Sequence, residues 1–216
     1  MLISHKLKFL TIDIPKTGTR SYRETLESLR VLDIIGQPGA AIDAFYQHTK
    51  ATKLLTEFNC RGWDWDSYYK YVTIRNPWAR YGSYLQWAKN TYKYCSNQPY
   101  ENLTSTQQNI YKIFNKLFTR LNFDDQKILS ILISSEDSQE KYFTNNREII
   151  VDHIARFEHI KQEFGVLCKK VGLNNLELKH SNNGGDYNYK DFYNQELIDT
   201  VAKKEEYIIN NYGYQY

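Results

Sequence analysis

Residues 8–29, KFLTIDIPKTGTRSYRETLESL, constrain the fold of this chain more than any other stretch. Apolar side chains at positions 9, 10, 12 and 14 predict a largely buried strand over residues 9–14. A loop containing Gly18 follows, and apolar residues then recur at helical spacing up to Leu29. A buried strand that enters a helix through such a loop is typical of α/β proteins. We expect a P-loop-like strand–loop–helix unit here.

The rest of the chain continues this alternation. Further strands are predicted at residues 31–36, 68–75 and 147–157, and helices at 48–58, 76–90, 109–121, 160–173 and 194–213. Strands separated by helices predict a three-layer α/β sandwich with a central, mostly parallel sheet. The length of 216 residues fits a single domain over 1–216, and the segment around 93–147 is a candidate insertion.

Charge and cysteine content exclude several classes of protein. The 28 Lys and Arg residues exceed the 25 Asp and Glu residues by only three, which is too little for a nucleic-acid coat or a membrane-binding patch. The three cysteines have neither zinc-site spacing nor an even number. The chain contains no apolar run of the kind that signal peptides or membrane spans require. We therefore expect a cytoplasmic protein without nucleic-acid or membrane partners.

The loop at residues 15–21, PKTGTRS, is the first candidate site. A helix that begins after a strand leaves backbone N–H groups without partners, and these groups attract anions. Lysine, arginine and hydroxyl side chains add donors, so the candidates for anion contact are Lys16, Thr17, Gly18, Thr19, Arg20 and Ser21. The alternative is an ordinary capping box from Ser21 to Glu24, with Lys16 as a solvated loop lysine.

The second candidate site is the stretch VTIRNPWARYGS. Arg75 ends a strand, Asn76 is a good N-cap, and Pro77 suits the first position of the next helix. A guanidinium group beside a helix N-terminus binds phosphate well, and the Ser83 hydroxyl is a candidate third donor. In the alternative interpretation Arg75 forms a salt bridge and Ser83 lies on the helix surface. Open α/β sheets bind ligands at the carboxyl ends of their strands, where both stretches are predicted to lie.

Together these residues resemble the sulfotransferases that use 3′-phosphoadenosine 5′-phosphosulfate (PAPS). IPKTGTRS is similar to their 5′-phosphosulfate loop and IRNPWARYGS to their 3′-phosphate motif. Residues 48–49 (His-Thr), residues 156–173 and the loop that opens with His180 resemble the carbohydrate branch in particular. The sequence departs from the family at Arg20, where a second threonine is common, in the loop after His180, which lacks basic residues, and in having no membrane anchor.

The resemblance implies a metal-independent, in-line transfer of the sulfuryl group from PAPS to a hydroxyl, in this branch one of a saccharide, with 3′-phosphoadenosine 5′-phosphate (PAP) as product. It implies that Lys16 stabilises the leaving phosphate and that His48 is the base that takes the acceptor proton. Glu24 and Asp43 remain alternative bases. We expect His153 and His159 to be structural and His5 to be exposed.

Three other functions remain open at this point. A P-loop-type kinase would place a magnesium-binding hydroxyl after its lysine, as Thr17 follows Lys16, but the glycine upstream is missing. An aromatic-rich nucleic-acid-binding module would carry a basic stripe, whereas lysines here alternate with acids. An inactive relative would bind the nucleotide without transfer. The pattern of residues does not define the acceptor or the oligomeric state.

Overall fold

The structure is a computed structural model, and it describes residues 1–36, 45–173, 176–179 and 187–216. The chain divides into two compact units, which are described separately below. Unit 1 comprises Met1–Asn76 and Ser138–Asn183, and unit 2 comprises Pro77–Asp137 and Gly184–Tyr216. Most of the candidate insertion belongs to unit 2, and the single-domain organisation stays a prediction.

Unit 1 contains a five-stranded sheet. Its strands, in the order in which they lie across the sheet, are β3 (Ile34–Ile35), β1 (Leu2–Ser4), β2 (Phe9–Ile12), β4 (Tyr69–Ile74) and β7 (His153–Arg156). β2, β4 and β7 are parallel, whereas β1 is antiparallel to both β2 and β3. The α/β class is confirmed, but the sheet is mixed and not mostly parallel.

The mixed character of the sheet comes from a strand that the sequence pattern did not predict. β1 is only three residues long and is separated from β2 by residues 5–8. A connection this short has no room for a crossover, so it forces the two strands to pair antiparallel. The strand predicted at 147–157 is also two strands in the structure. β6 (Glu148–Ile149) pairs with β5 (Thr144–Asn145) in a separate hairpin, and β7 follows it.

The α-helices of unit 1 in the part that the structure describes are α1 (Thr19–Glu27), α2 (Ala51–Cys60) and α6 (Ile160–Lys170). α1 and α6 supply buried side chains to one hydrophobic core together with the sheet. This core includes Phe9, Tyr22, Leu26, Tyr71, Ala155, Phe164 and Leu167. The apolar stripe predicted after the loop therefore faces the sheet, although Leu29 lies beyond the end of α1 and is exposed.

Unit 2 is helical in the part that the structure describes. Its helices are α3 (Pro77–Ser96), α4 (Ser105–Arg120), α5 (Asp125–Ser135), α7 (Gln195–Lys204) and α8 (Glu206–Tyr212). The predicted helix start at Pro77 is confirmed, but α3 runs six residues past its predicted end, and α5 was not predicted. Of the described helices, none has the length and apolar character that crossing a bilayer demands.

The predicted C-terminal helix is broken at Glu205, whose side chain is completely buried. Its carboxylate accepts hydrogen bonds from the Arg80 guanidinium (2.9 Å) and from the Tyr81 hydroxyl (3.1 Å). Arg80 is itself only 1% exposed. A buried charge needs a partner of opposite charge. The Arg80–Glu205 ion pair supplies it at the position where α7 ends and α8 begins.

Candidate functional site

The parallel strands of unit 1 bring three chain segments to one edge of the sheet. Ile12 pairs with Val72, and Ile74 pairs with Arg156, so β2, β4 and β7 end close together. The loop at residues 13–18 follows β2, Arg75 follows β4, and Phe157 follows β7. Ligands of open α/β sheets bind at this edge, and it carries most of the residues predicted from the two motifs.

The loop after β2 has a backbone that its residues strongly restrict. Gly18 has a φ of 81° and is the N-cap of α1. A Cβ atom on Gly18 would lie 2.6 Å from both Phe157 Cε2 and Ile160 Cδ1, so there is no space for a side chain. Lys16 also has a positive φ, 69°, at a cost of about 1 kcal/mol for a residue with a Cβ. The loop is held in this shape by packing against Phe157, which follows β7, and Ile160 of α6.

The N-terminus of α1 lies at this loop, and its N-cap residue, Gly18, has no side chain with which to cap the helix. Ser21 is the third residue of the helix, and its N–H donates to the Gly18 carbonyl at 3.0 Å. The alternative capping box that begins at Ser21 is therefore wrong. Because the first N–H groups of a helix lack intrahelical acceptors, this end of α1 favours an anion.

Lys16 and Arg75, which are 59 residues apart in the chain, meet at the loop. Arg75 Nη1 donates to the Lys16 carbonyl at 3.1 Å. Burial, and then the positive charge of Arg75, lower the pKa of the half-buried Lys16 ammonium from 10.5 to about 8. Two like charges raise each other's electrostatic energy, and an anion bound beside them lowers it.

Two side chains hold Arg75 in place. The amide of Gln139, which is completely buried, accepts from the Arg75 backbone N–H and donates to its carbonyl, both at 2.9 Å. The Arg75 guanidinium lies over the Phe157 ring, 4.3 Å from the centroid. The neighbouring Asn76 N–H donates to Glu158 at 2.7 Å. Arg75 is therefore fixed both at its backbone and at its guanidinium.

His48 also reaches this loop, in agreement with the prediction that it precedes a helix, here α2. Its Nδ1 lies 2.9 Å from the Asp13 carbonyl oxygen. A carbonyl only accepts hydrogen bonds, so Nδ1 carries the proton, and in the neutral ring Nε2 carries the lone pair. The half-buried His48 is thus oriented, and its neutral tautomer has the electronic structure of a proton acceptor.

Other predicted residues have different surroundings. The buried Thr17 hydroxyl donates to the Ile14 carbonyl at 2.9 Å, which leaves the Thr17 backbone N–H as its donor for a ligand. Arg20 lies on the surface, with Nε 2.7 Å from Glu24, in an ion pair whose side chains are 64% and 37% exposed. Arg20, the residue at which the loop differs from the motif it resembles, is therefore paired with the alternative base Glu24.

The remaining predicted residues lie elsewhere. Ser83 is half-buried in α3 of unit 2, so its predicted contact with the same phosphate as Arg75 stays a prediction. Asp43 and His180 lie outside the described residues. His153 is structural, as expected, and its Nε2 lies 2.7 Å from Glu163. His5 is half-buried rather than exposed, because its ring packs against Trp63 and hydrogen-bonds Tyr68.

Sequence reasoning missed three residues at this edge: Gln139, Phe157 and Glu158. Gln139 lies in a stretch without a readable pattern, so no sequence signal identified it. Phe157 and Glu158 directly follow a strand parallel to β4, and that position, together with the resemblance of residues 156–173, was the available signal.

Comparison of the chain with family models, with curated proteins and with solved structures gave no match. Its function is therefore inferred from its own residues and their geometry.

Proposed function

We propose that this chain is a PAPS-dependent sulfotransferase that transfers the sulfuryl group to a hydroxyl of a saccharide. When bound, PAPS supplies an activated sulfuryl group, with the 5′-phosphate of PAP as the leaving group. In the transfer, the bond between sulfur and the phosphate oxygen breaks, a new bond forms between sulfur and the acceptor oxygen, and the hydroxyl proton passes to a base.

The observation that carries the proposal is the convergence of Lys16 and Arg75 at the start of α1, where the N-cap residue is Gly18. The two residues come from the two motifs that resemble the family, and the Arg75 guanidinium touches the loop backbone at 3.1 Å. A sulfate- or phosphate-bearing ligand fits this donor set, which combines an ammonium group, a guanidinium group and helix N–H groups. PAP carries two phosphates on one ribose, as two adjoining anion sites require.

Lys16 has the role of stabilising the charge that develops on the leaving phosphate. A pKa of about 8 keeps most Lys16 side chains protonated at pH 7, and partial burial strengthens their interaction with an anion. By analogy with the removal of an oxyanion-hole donor, loss of this charge should slow turnover by about 10²–10³-fold. Arg75 holds the second phosphate, on the 3′ position, as the resemblance implies.

His48 has the role of the base. Its Nδ1–H donates to the Asp13 carbonyl, which orients the ring, and Nε2 is the nitrogen that we propose takes the proton of the acceptor hydroxyl. For His48→Gln we expect unchanged PAP affinity and loss of turnover, measured as PAP release from PAPS in the presence of a panel of saccharides. Near-normal turnover would remove His48 as the base.

The surroundings of Thr17 do not favour the kinase alternative. In a P-loop kinase, the hydroxyl that follows the loop lysine contacts Mg²⁺ beside the bound triphosphate. Here that hydroxyl is completely buried and donates to the Ile14 carbonyl. We therefore expect turnover of PAPS to survive a chelator, whereas kinase activity would be lost.

A thermal-shift assay with PAP, ATP and ATP plus Mg²⁺ tests the proposal directly. We expect PAP to raise the melting temperature more than ATP does, and the PAP effect to disappear in Lys16→Ala and Arg75→Ala. Lys116→Ala, a change at an exposed lysine of α4, is the matched control and should retain the response. Equal stabilisation by ATP, or full PAP binding by Arg75→Ala, would refute the assignment.

A further inference from the structure

Phe157 occupies the point where the two candidate phosphate-binding segments meet. It follows β7 directly and begins a short 3₁₀ helix, Phe157–His159. Because Ile74 pairs with Arg156, the next residues, Arg75 and Phe157, leave the sheet side by side. The register of β4 and β7 therefore determines that an aromatic ring stands beside the second motif.

One side of the ring supports Arg75. The guanidinium carbon lies 4.3 Å from the ring centroid, within the range of a cation–π contact. This contact complements the two hydrogen bonds that the Gln139 amide makes with the backbone of Arg75. Because Arg75 is held both at its backbone and at its guanidinium, its side chain loses little conformational entropy when it binds a ligand.

The edge of the same ring closes against the loop. Atoms Cε2 and Cδ2 of Phe157 lie 2.6 and 2.8 Å from the place where a Cβ on Gly18 would be. The glycine backbone thus rests directly on the ring, and Ile160 covers it from α6. In this way a single side chain touches the loop that carries Lys16 and the guanidinium of Arg75.

We propose that Phe157 is a positioning residue that couples the loop at residues 15–18 to Arg75, so that both cations contact one anionic ligand together. The coupling itself is a property of the free protein. Only the identity of the anion as PAP rests on the proposed function.

The test uses substitutions that separate the aromatic face from packing volume. Phe157→Leu retains apolar contact with Gly18 but removes the aromatic face, whereas Phe157→Tyr retains both. Phe58→Leu is the matched control, because Phe58 is fully buried in the same unit and packs against Trp65 and Tyr68, away from the loop.

The first measurement needs no ligand: the pKa of Lys16 is followed by NMR of ¹³C-labelled lysine. Arg75 lowers this pKa, so release of its guanidinium in Phe157→Leu should raise it by roughly 0.5 unit. Phe157→Tyr and Phe58→Leu should leave it unchanged. In an Arg75→Met background, Phe157→Leu should have no further effect, because the ring acts through Arg75. The same rise in that background would mean simple loosening of packing and would overturn the proposal.

The second measurement is the affinity for PAP by calorimetry. We expect Phe157→Leu to weaken binding about tenfold, and the losses in Phe157→Leu and Arg75→Met to be far from additive. Additive losses, or an unchanged pKa of Lys16 in Phe157→Leu, would refute the coupling. If the unmodified protein does not bind PAP, the proposed function fails, and the pKa cycle still decides whether Phe157 couples the two cations.

Discussion

Lys16 should make the free protein less stable, and its replacement by methionine should reveal by how much. Burial and the charge of Arg75 lower its pKa in the folded protein from 10.5 to about 8. At 1.36 kcal/mol per unit this corresponds to about 3 kcal/mol, and because the side chain is only half-buried, solvent screening reduces the expected value to about 1–3 kcal/mol. Methionine retains the apolar stem and removes the charge.

The pH dependence of this effect has a definite sign. Below pH 8 the lysine is protonated in both the folded and the unfolded state, and the charged Lys16 destabilises the folded protein by the full amount. Between pH 8 and 10.5 the folded state releases its Lys16 proton first. The unfolded state then binds more protons, so the destabilisation by Lys16 decreases as the pH rises. Lys16→Met should therefore unfold with a free energy about 1–3 kcal/mol higher at pH 7, and this gain should disappear by about pH 10.5.

Urea denaturation at pH 7, 9 and 10.5 measures this gain, and every value is compared with Lys116→Met, a change at an exposed lysine. Other groups that titrate in this range are common to both variants and cancel in the difference. A Lys16→Met protein that is no more stable than the Lys116→Met protein at pH 7 would contradict the reasoning. So would a gain that is the same at all three pH values.

Three further predictions concern the loop and the buried ion pair. Gly18→Ala should lower the free energy of unfolding, measured by urea denaturation, by about 2–4 kcal/mol. The control is Gly62→Ala, at a similar φ of 67° but in open space, which should lower it by only about 1 kcal/mol. Equal losses in the two variants would argue against close packing at Gly18. Arg80→Met should lower the free energy of unfolding by about 3–5 kcal/mol, because it leaves Glu205 buried without its ion-pair partner. The double variant with Glu205→Met should regain part of that free energy, and no recovery would contradict the ion-pair account. PAP affinity, measured by calorimetry from pH 7 to 9.5, should fall above about pH 8 as Lys16 loses its proton, and a flat profile would remove Lys16 from the anion site.

Local sequence patterns were sufficient to predict an element where the conformation depends on residues within that element. The strand at Phe9–Ile12 and the helix start at Pro77 follow from apolar alternation and from the fixed φ of proline, and both are present. β1 and α5 were missed. A three-residue strand provides too few positions for a periodic pattern, and β1 is a strand because it pairs with β2 on one side and β3 on the other.

The proximity of Lys16 and Arg75 was predictable from the sequence, whereas the contacts of individual side chains were less so. Lys16 and Arg75 were placed at one edge of the sheet by the rule for parallel strands, and they do adjoin there. The binding of the nucleotide by Arg20 stays a prediction, and in the free protein its Nε lies 2.7 Å from Glu24, one helical turn away. The position of Arg20 at the start of a helix was visible in the sequence, whereas the direction of its side chain was not.

The sequence by itself determined the α/β class, the loop that follows the first buried strand, and the pair of motifs that indicate an anionic ligand. Only the tertiary structure decided that the sheet is mixed, that Gln139 clamps Arg75, that His48 bonds the Asp13 carbonyl and that Phe157 stands between the two motifs. The physical reason is the distance along the chain over which each kind of interaction acts. Periodicity and capping depend on neighbours within a few residues, but these contacts depend on strand register and packing between segments far apart in the chain.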